Sequence, residues 1–248
     1  MNEQKFDGKG AVYTSARPSY PQELFSLLCG RNILNTHVTA ADIGAGTGIF
    51  TRSLSGYVEK VFAVEPNGDM RGEGEKQAAL NTVFVDGNAE NTSLPDNCVD
   101  VVTAAQAFHW FNGELFKKEC GRIFCENSDR YVVLVWNDRD ESSPLIKANF
   151  EVNRRFCPLF KGASNGENIE DGVSAFFTNG YEKAEFENPV FYSEEMFLRR
   201  CFSSSYAPKP GDFSFDGYGK ALSEVFAEFS EDGTAKYPYI TRCYFGKI

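Results

Sequence analysis

The residues best suited to chemistry fall in two short runs. The first, Val38-Thr39-Ala40-Ala41-Asp42-Ile43-Gly44-Ala45-Gly46-Thr47-Gly48, reads as an apolar strand entering a glycine-rich turn. Without a Cβ, three glycines at alternate positions let the backbone turn sharply and come close to a ligand. A helix beginning near Thr47 would aim unsatisfied N–H groups and the positive end of its dipole at that ligand. The second run, Val61-Phe62-Ala63-Val64-Glu65, is a strand ending in a carboxylate 21 residues after Gly44. A carboxylate there is suited to accept hydrogen bonds from a ribose diol, so the two runs form half of a nucleotide-cofactor crevice. Spacing narrows the cofactor. A dinucleotide fingerprint is G-x-G-x-x-G and a P-loop needs G-K-[ST] after four spacer residues. Here the third glycine comes one place early, at Gly48 before Ile49, and no lysine lies between Val38 and Glu59. An NAD-dependent oxidoreductase is therefore disfavoured.

A third candidate is Gln106-Ala107-Phe108-His109-Trp110-Phe111, which follows a buried strand. His109 is one of two histidines. Its imidazole titrates near neutrality and can take a proton from a hydroxyl or an amine. The plainer alternative is a capping or core imidazole, and Trp110 and Phe111 read more readily as core than as a substrate platform.

The D-x-G-x-G-x-G turn with Glu65 resembles the class I S-adenosylmethionine (SAM)-dependent methyltransferase family, in its type 11-like branch, with a distant similarity to trans-aconitate methyltransferases. The resemblance implies an α/β, Rossmann-like fold: a seven-stranded, mostly parallel sheet with an antiparallel edge strand and a helical cap. It implies SAM as cofactor and S-adenosylhomocysteine as product. The cofactor residues it implies are Asp42, Gly44, Ala45, Gly46 and Gly48 at the turn, and Glu65, Pro66 and Met70 around the ribose and adenine. Asn88 and Ala89 would border the adenine, Asn88 standing where the family often has aspartate and offering its amide oxygen to the adenine amine. Glu90 reads as a helix-start residue. Gln106 would face the reacting methyl group. The arm Arg17-Pro18-Ser19-Tyr20-Pro21 matches an R-P-x-Y-P pattern that implies Tyr13 and Arg17 at the methionine end. The planar guanidinium fork suits a carboxylate. The H-W-F triplet, shared with certain small-molecule members, favours His109 as the catalytic residue. The D/N-P-P-Y/F segment of DNA-amino methyltransferases is missing, so base N-methylation is not expected. The expected reaction is methylation of a small-molecule acceptor, with an oxygen of a carboxylate or hydroxyl favoured. A carboxylate acceptor needs no base, and Arg154, Arg155, Arg199 or Arg200 could hold it, although most of these read as solvated helix surface. A SAM-binding protein with a regulatory role or no turnover stays open as an alternative.

Composition agrees with a globular enzyme. The 248 residues are 42% hydrophobic and 15% aromatic, enough for one large domain or a domain with a cap. A net charge of −10 argues against the basic face that nucleic acid requires. Seven cysteines, without a C-x-x-C pair, predict buried free thiols in a reducing compartment and neither disulfides nor a zinc site. No run of 18 apolar residues and no apolar stretch at the start is seen. The expectations are a cytoplasmic protein, monomer or homodimer, with no metal, membrane or nucleic-acid partner.

The elements follow from periodicity and breakers. Helices are predicted over 22–34, 47–56, 67–80 and 113–126, the third weakened by Gly68, Gly72 and Gly74. Strands are predicted over 58–65, 82–86, 98–105 and 130–136, with Asn137-Asp138-Arg139 above the crevice. A sixth strand is predicted over 181–192, helices after 142, after 194 and over 221–229, and an antiparallel edge strand over 238–245. The chain reads as one domain, 1–248. Its core would be about 22–140 with 181–192 and 236–248, its cap 1–21, 142–180 and 193–230.

Overall fold

The computed structural model describes residues 18–162 and 169–248. The chain begins with α1 (Gln22–Gly30), β1 (Thr39–Ile43), α2 (Ile49–Leu54), β2 (Lys60–Val64), α3 (Gly68–Glu75), β3 (Thr82–Val85) and β4 (Val101–Ala105). After a 3-10 turn over Phe108–Trp110 come α4 (Gly113–Ile123), β5 (Tyr131–Arg139), α5 (Pro144–Phe156), α6 (Ile169–Phe176), β6 (Glu182–Glu187) and β7 (Val190–Tyr192). The chain ends with α7 (Glu194–Phe202), α8 (Phe215–Phe229), β8 (Ser230–Glu231), β9 (Thr234–Tyr237) and β10 (Tyr239–Lys247).

Seven strands form one sheet in the order β3-β2-β1-β4-β5-β10-β6. β1 pairs in parallel with β2 and β4, β2 with β3, and β4 with β5. The Rossmann-like expectation is borne out, with one refinement of place. The antiparallel strand, β10, stands one position in from the edge, between β5 and β6. Cys243, Tyr244 and Phe245 are consecutive and all buried, as an interior strand covered on both faces demands.

Side chains alternate across a strand, and β5 shows the consequence. Val132, Leu134 and Trp136 join a core cluster containing Phe116, Cys120 and Ile123 of α4 and Val173 and Phe176 of α6. Val133 and Val135 join the opposite cluster, with Leu24, Phe25 and Leu28 of α1 and Phe50 and Leu54 of α2. A third cluster gathers Ile146 and Phe150 of α5, Phe197 of α7, Leu222 and Phe226 of α8, and Tyr192, Tyr237 and Tyr239.

Two departures from the sequence reading matter for the site. The stretch 181–192 divides between sheets: β6 pairs with β10, whereas β7 pairs with β9 in a three-stranded sheet β7-β9-β8. Pro189 lacks an N–H and breaks the run, while the N–H of Asn188 still reaches the Tyr239 carbonyl at 2.8 Å. A small second sheet that the sequence reading did not include thus borders the helical segments. Several helices also stop early. α4 ends at Ile123 because Phe124 turns extended, with ψ 133°, and bridges to Val99.

Candidate functional site

The carboxyl ends of β1, β2, β4 and β5 open on a cavity of about 330 Å³, lined by parts of the glycine turn, Glu65, Met70, Asn88, Gln106, Trp110, Asn137 and Tyr239 among others. This is where an open α/β sheet binds ligands. The glycine turn is built for two purposes. Gly44, Gly46 and Gly48 all have positive φ, 72°, 57° and 74°. A Cβ on Gly44 would come within 2.6 Å of the Ala107 Cβ, so this glycine lets the turn pack against the segment after β4. Among the described residues, a Cβ on Gly46 would meet only the Met70 methyl, at 3.5 Å, and Gly46 lines the cavity. Gly48 is the left-handed N-cap of α2 and is not among the described residues lining the cavity. Ala45 and Pro66 do line it.

Glu65 is 8% exposed and braces the turn while facing the cavity. Its Oε2 accepts the Gly46 N–H at 2.9 Å and its Oε1 the Asn67 N–H at 2.9 Å. A carboxylate has about four acceptor sites, and this one stands in the cavity wall. Asn67 in turn caps α3 through the Met70 N–H, which fixes Met70 against the cavity. Asp42 serves differently from the expectation. It touches the cavity but is only 1% exposed. Its oxygens accept from Thr51 Oγ1 at 2.5 Å and Thr103 Oγ1 at 3.0 Å, tying β1 to α2 and β4. Burial pushes its carboxyl up to about 6, against the two threonine bonds and with help from the Glu65 charge. Thr47 is as buried, and its Oγ1 has no hydrogen-bond partner among the described residues. An orphaned hydroxyl in a cavity wall calls for a ligand atom.

Asn88 and Ala89 line the cavity, but the Asn88 oxygen is already engaged. Its Oδ1 accepts from the N–H groups of Glu90 and Asn91, at 3.1 and 2.9 Å, closing a tight turn. The oxygen expected to meet an adenine amine is thus spent on the backbone. Glu90 also lines the cavity, and its carboxylate accepts the N–H of Asn112, the N-cap of α4, at 2.8 Å. It supports a helix start from across the chain, not from within its own segment. Gln106 has φ 57° and is pinned by its N–H to the Val135 carbonyl and by Nε2 to the Asn137 carbonyl, at 2.8 and 3.1 Å. A non-glycine residue held in that region is the kind of strain that gathers at ligand sites.

His109 is not brought to the cavity wall. It is exposed, its ring lies tilted against Trp110 at 4.8 Å, and its Nδ1 accepts the Trp136 indole N–H at 3.4 Å. In a neutral imidazole so placed, the Nδ1 lone pair is engaged by the indole N–H. Trp110 and Phe111, which read as core, both line the cavity, Trp110 being 41% exposed. Two further wall residues were not singled out: Tyr20, the tyrosine of the R-P-x-Y-P arm, held edge-on to Phe50 at 4.9 Å, and Tyr239 from the far end of the chain. The arm pattern was a signal for Tyr20, whereas Tyr239 had only its place at a strand end. Tyr13 and Arg17 lie outside the described residues; just after them, the Ser19 carbonyl accepts from Asn137 and Asn188 at 3.1 and 2.8 Å. Three of the four arginines considered for an acidic acceptor are surface groups. Arg154 pairs with Glu151, Arg155 lies 5.0 Å from the Phe156 ring centre, and Arg199 pairs with Glu195 at 3.3 Å. Arg200 alone is buried. All seven cysteines are unpaired, four buried and three partly exposed. No helix among the described residues is long and apolar enough to cross a membrane.

The strand order, with its mostly parallel seven-stranded sheet, defines a Rossmann-like fold, and the positive-φ glycine turn and the carboxylate ending β2 stand at its ligand-binding end. A solved structure from Anaeromyxobacter dehalogenans has the same fold at TM-score 0.66 and 21% identity, covering 93% of this chain and 97% of that one. The family profile described as "Methyltransferase domain" matches residues 41–128, the span from β1 past α4. An uncharacterized methyltransferase of Mycobacterium bovis is 36% identical over 248 residues, 96% of this chain and 93% of its own length. An uncharacterized methyltransferase of Schizosaccharomyces pombe is 33% identical over 75% of this chain and 71% of its own. Two further relatives, from Dictyostelium discoideum and S. pombe, are matched over only 50% and 56% of their lengths. The chain belongs to this methyltransferase family.

Proposed function

We propose that the protein transfers a methyl group from SAM to a small-molecule acceptor, to an oxygen of a carboxylate or hydroxyl. The observation that carries this reading is the cavity-lining Gly46 beside Glu65. A backbone without a Cβ and a carboxylate meet at one wall of a cavity, with the orphaned Thr47 hydroxyl next to them. These residues fit SAM: Glu65 would hold the ribose hydroxyls, Met70 and Ala89 would flank the adenine, and the Gly44–Thr47 turn would hold the methionine portion. When bound, SAM supplies a methyl group already activated by the sulfonium charge.

The residues then have to align the acceptor and keep water out, tasks for which orientation effects of about 7–11 kcal/mol are available. In the transfer, an acceptor oxygen lone pair forms the new O–CH₃ bond while the S–CH₃ bond breaks, its electron pair remaining on sulfur. A carboxylate acceptor has no proton to lose, and a hydroxyl acceptor releases one to solvent. Trp110, Phe111 and Tyr239 supply apolar surface along the cavity, and Gln106 and Asn137 supply polar groups that can orient the acceptor. No histidine among the described lining residues is available as a base, which agrees better with an acceptor that arrives ionised. Calorimetry with SAM, S-adenosylhomocysteine and NAD tests the reading. The first two should bind in the micromolar range, about −8 kcal/mol, and NAD should not. Binding of NAD without SAM would overturn it.

A further inference from the structure

The most buried arginine of the described chain has no counter-charge. Arg200, on α7, is 6% exposed. Its Nε donates to the Tyr239 hydroxyl at 2.8 Å and its Nη1 to Ser204 Oγ at 3.3 Å, both neutral oxygens. Arg139, at the end of β5, donates to the Tyr206 hydroxyl at 3.0 Å and lies 4.6 Å from the Phe150 ring centre. Neither forms an ion pair among the described residues. The two guanidiniums are also close enough for their charges to act on one another. Arginines more exposed than Arg200 are better matched: Arg71 pairs with Asp86, Arg122 with Glu119 and Asp96, and Arg242 with Asp138 and Glu185. Nor can the neighbouring phenols serve as anions, because burial pushes Tyr192 and Tyr237 above the ordinary tyrosine range.

A buried charge that is neither paired nor fully hydrogen-bonded lowers stability. Each guanidinium offers five N–H donors, and protein oxygens take one from Arg139 and two from Arg200. Such a pair is retained at a stability cost where a ligand supplies the missing charge. The site's address says which ligand. Arg139 and Asn137 are two apart on β5 and so share a face of the sheet, and Asn137 lines the cavity. Tyr239 stands opposite Arg139 in the β5–β10 pairing, lines the same cavity, and receives the Arg200 Nε–H. The arginine pair thus stands next to two wall residues, Asn137 and Tyr239, without being among the described lining residues itself.

We propose that Arg139 and Arg200, with the Tyr206 and Tyr239 hydroxyls, anchor a carboxylate of the methyl acceptor, which is a small organic acid carrying a second, methyl-accepting group. This inference rests on the methyl-transfer reading above. The anchored carboxylate is not itself the nucleophile, because charge-assisted bonds from two guanidiniums draw on its lone pairs. The second group, a hydroxyl or another carboxylate, lies toward Gln106 and Trp110.

The test measures binding of succinate, 4-hydroxybenzoate, their neutral amides succinamide and 4-hydroxybenzamide, and inorganic phosphate to the full chain saturated with S-adenosylhomocysteine. At least one carboxylate should bind tenfold or more tightly than its amide. That preference should vanish in Arg200→Gln and in Arg139→Gln, while affinity for S-adenosylhomocysteine changes less than twofold. Arg139→Lys, which keeps the charge but not the two-pronged donor, should weaken the carboxylate and leave the amide unchanged. Without ligand, Arg200→Gln should melt no lower than the wild type, whereas a purely structural arginine would give a clear fall. Lack of any carboxylate preference in the wild type, its persistence in the glutamine variants, or tighter binding of phosphate than of either acid would overturn the inference. If S-adenosylhomocysteine binds and no acid does, the anchor fails and the cofactor reading stands; acid binding without S-adenosylhomocysteine binding removes the cofactor reading and, with it, the acceptor role of the anchored acid.

Discussion

The two ends of the crevice are built in different ways. The end over β1–β3 is made of backbone: positive-φ glycines, a carboxylate receiving the Gly46 and Asn67 N–H groups, and the Asn88–Asn91 turn. Its parts come from three short stretches, and each conformation demands a particular residue type. The end over β4, β5 and β10 is made of side chains: Trp110, Phe111, Asn137 and Tyr239, with Tyr20 arriving from the amino-terminal arm. Almost any large or polar residue fits such places sterically, and their order in the chain is scattered. On the proposed function, a cofactor common to many enzymes would be met by fixed backbone, and an acceptor particular to one by replaceable side chains.

That contrast is broken most sharply at the glycine turn. Gly44→Val should fail to fold stably, because its Cβ would overlap the Ala107 Cβ at 2.6 Å in a backbone region with φ 72°. Among the described residues, Gly46→Val would meet nothing closer to its Cβ than the Met70 methyl at 3.5 Å. It should stay folded, less stable by about 1–3 kcal/mol for a side chain in the left-handed region, and lose SAM binding altogether. Circular dichroism melts beside calorimetry separate the two outcomes. Equal SAM affinity in a folded Gly46→Val would mean the cofactor does not approach this turn.

Glu65 and Asp42, two acids at neighbouring strand ends, should separate next. Glu65→Ala removes the proposed ribose acceptor, a loss of about 1.5–3 kcal/mol in SAM binding. Asp42→Asn should move SAM affinity little and act on stability instead. Asp42 has a folded pKa of about 6, above the roughly 3.9 of an unfolded aspartate. Its contribution is fully present below pH 4 and is lost as pH rises through 6. Relieving the buried charge should therefore raise stability at pH 7, by up to about 3 kcal/mol, and flatten the change between pH 4 and 7. Melting temperatures of both proteins across that range check it; a parallel pH dependence in the variant would assign the change to another group.

The same contrast explains what could be read from the sequence. The alternating glycines announce the turn because few other residues adopt its dihedrals, and the near-continuous apolar run of β4 announces a strand covered on both faces. The fold was legible at this level, down to the antiparallel strand. Its place was not: the pairing of β10 with both β5 and β6 depends on partners more than fifty residues away. The division at Asn188-Pro189 was visible as a proline, but nothing local says that β7 leaves for a second sheet. Arg200 looked like its neighbour Arg199, and only the packing of α7 against Tyr239 distinguishes the buried one.

The smallest effect is expected at the residue that looked most chemical. The sequence favours His109 as a base, but its Nδ1 accepts from Trp136 and its ring is exposed and outside the described cavity wall. A general base typically contributes about 10²–10⁴-fold to a rate, so its removal is easily seen. If His109 only seats Trp110 and Trp136, His109→Asn should alter turnover less than about tenfold and leave SAM affinity as it was. The pH profile of single-turnover rates should then keep its shape, since no titrating group has left the reaction. Asparagine can still accept the Trp136 N–H, so the aromatic packing is perturbed little. Should the variant instead lose a hundredfold or more, and lose with it a fall in rate as pH drops through the imidazole range near 6.5, the Trp136 bond must open during turnover. His109 would then be the base, and the acceptor would be a group that arrives protonated.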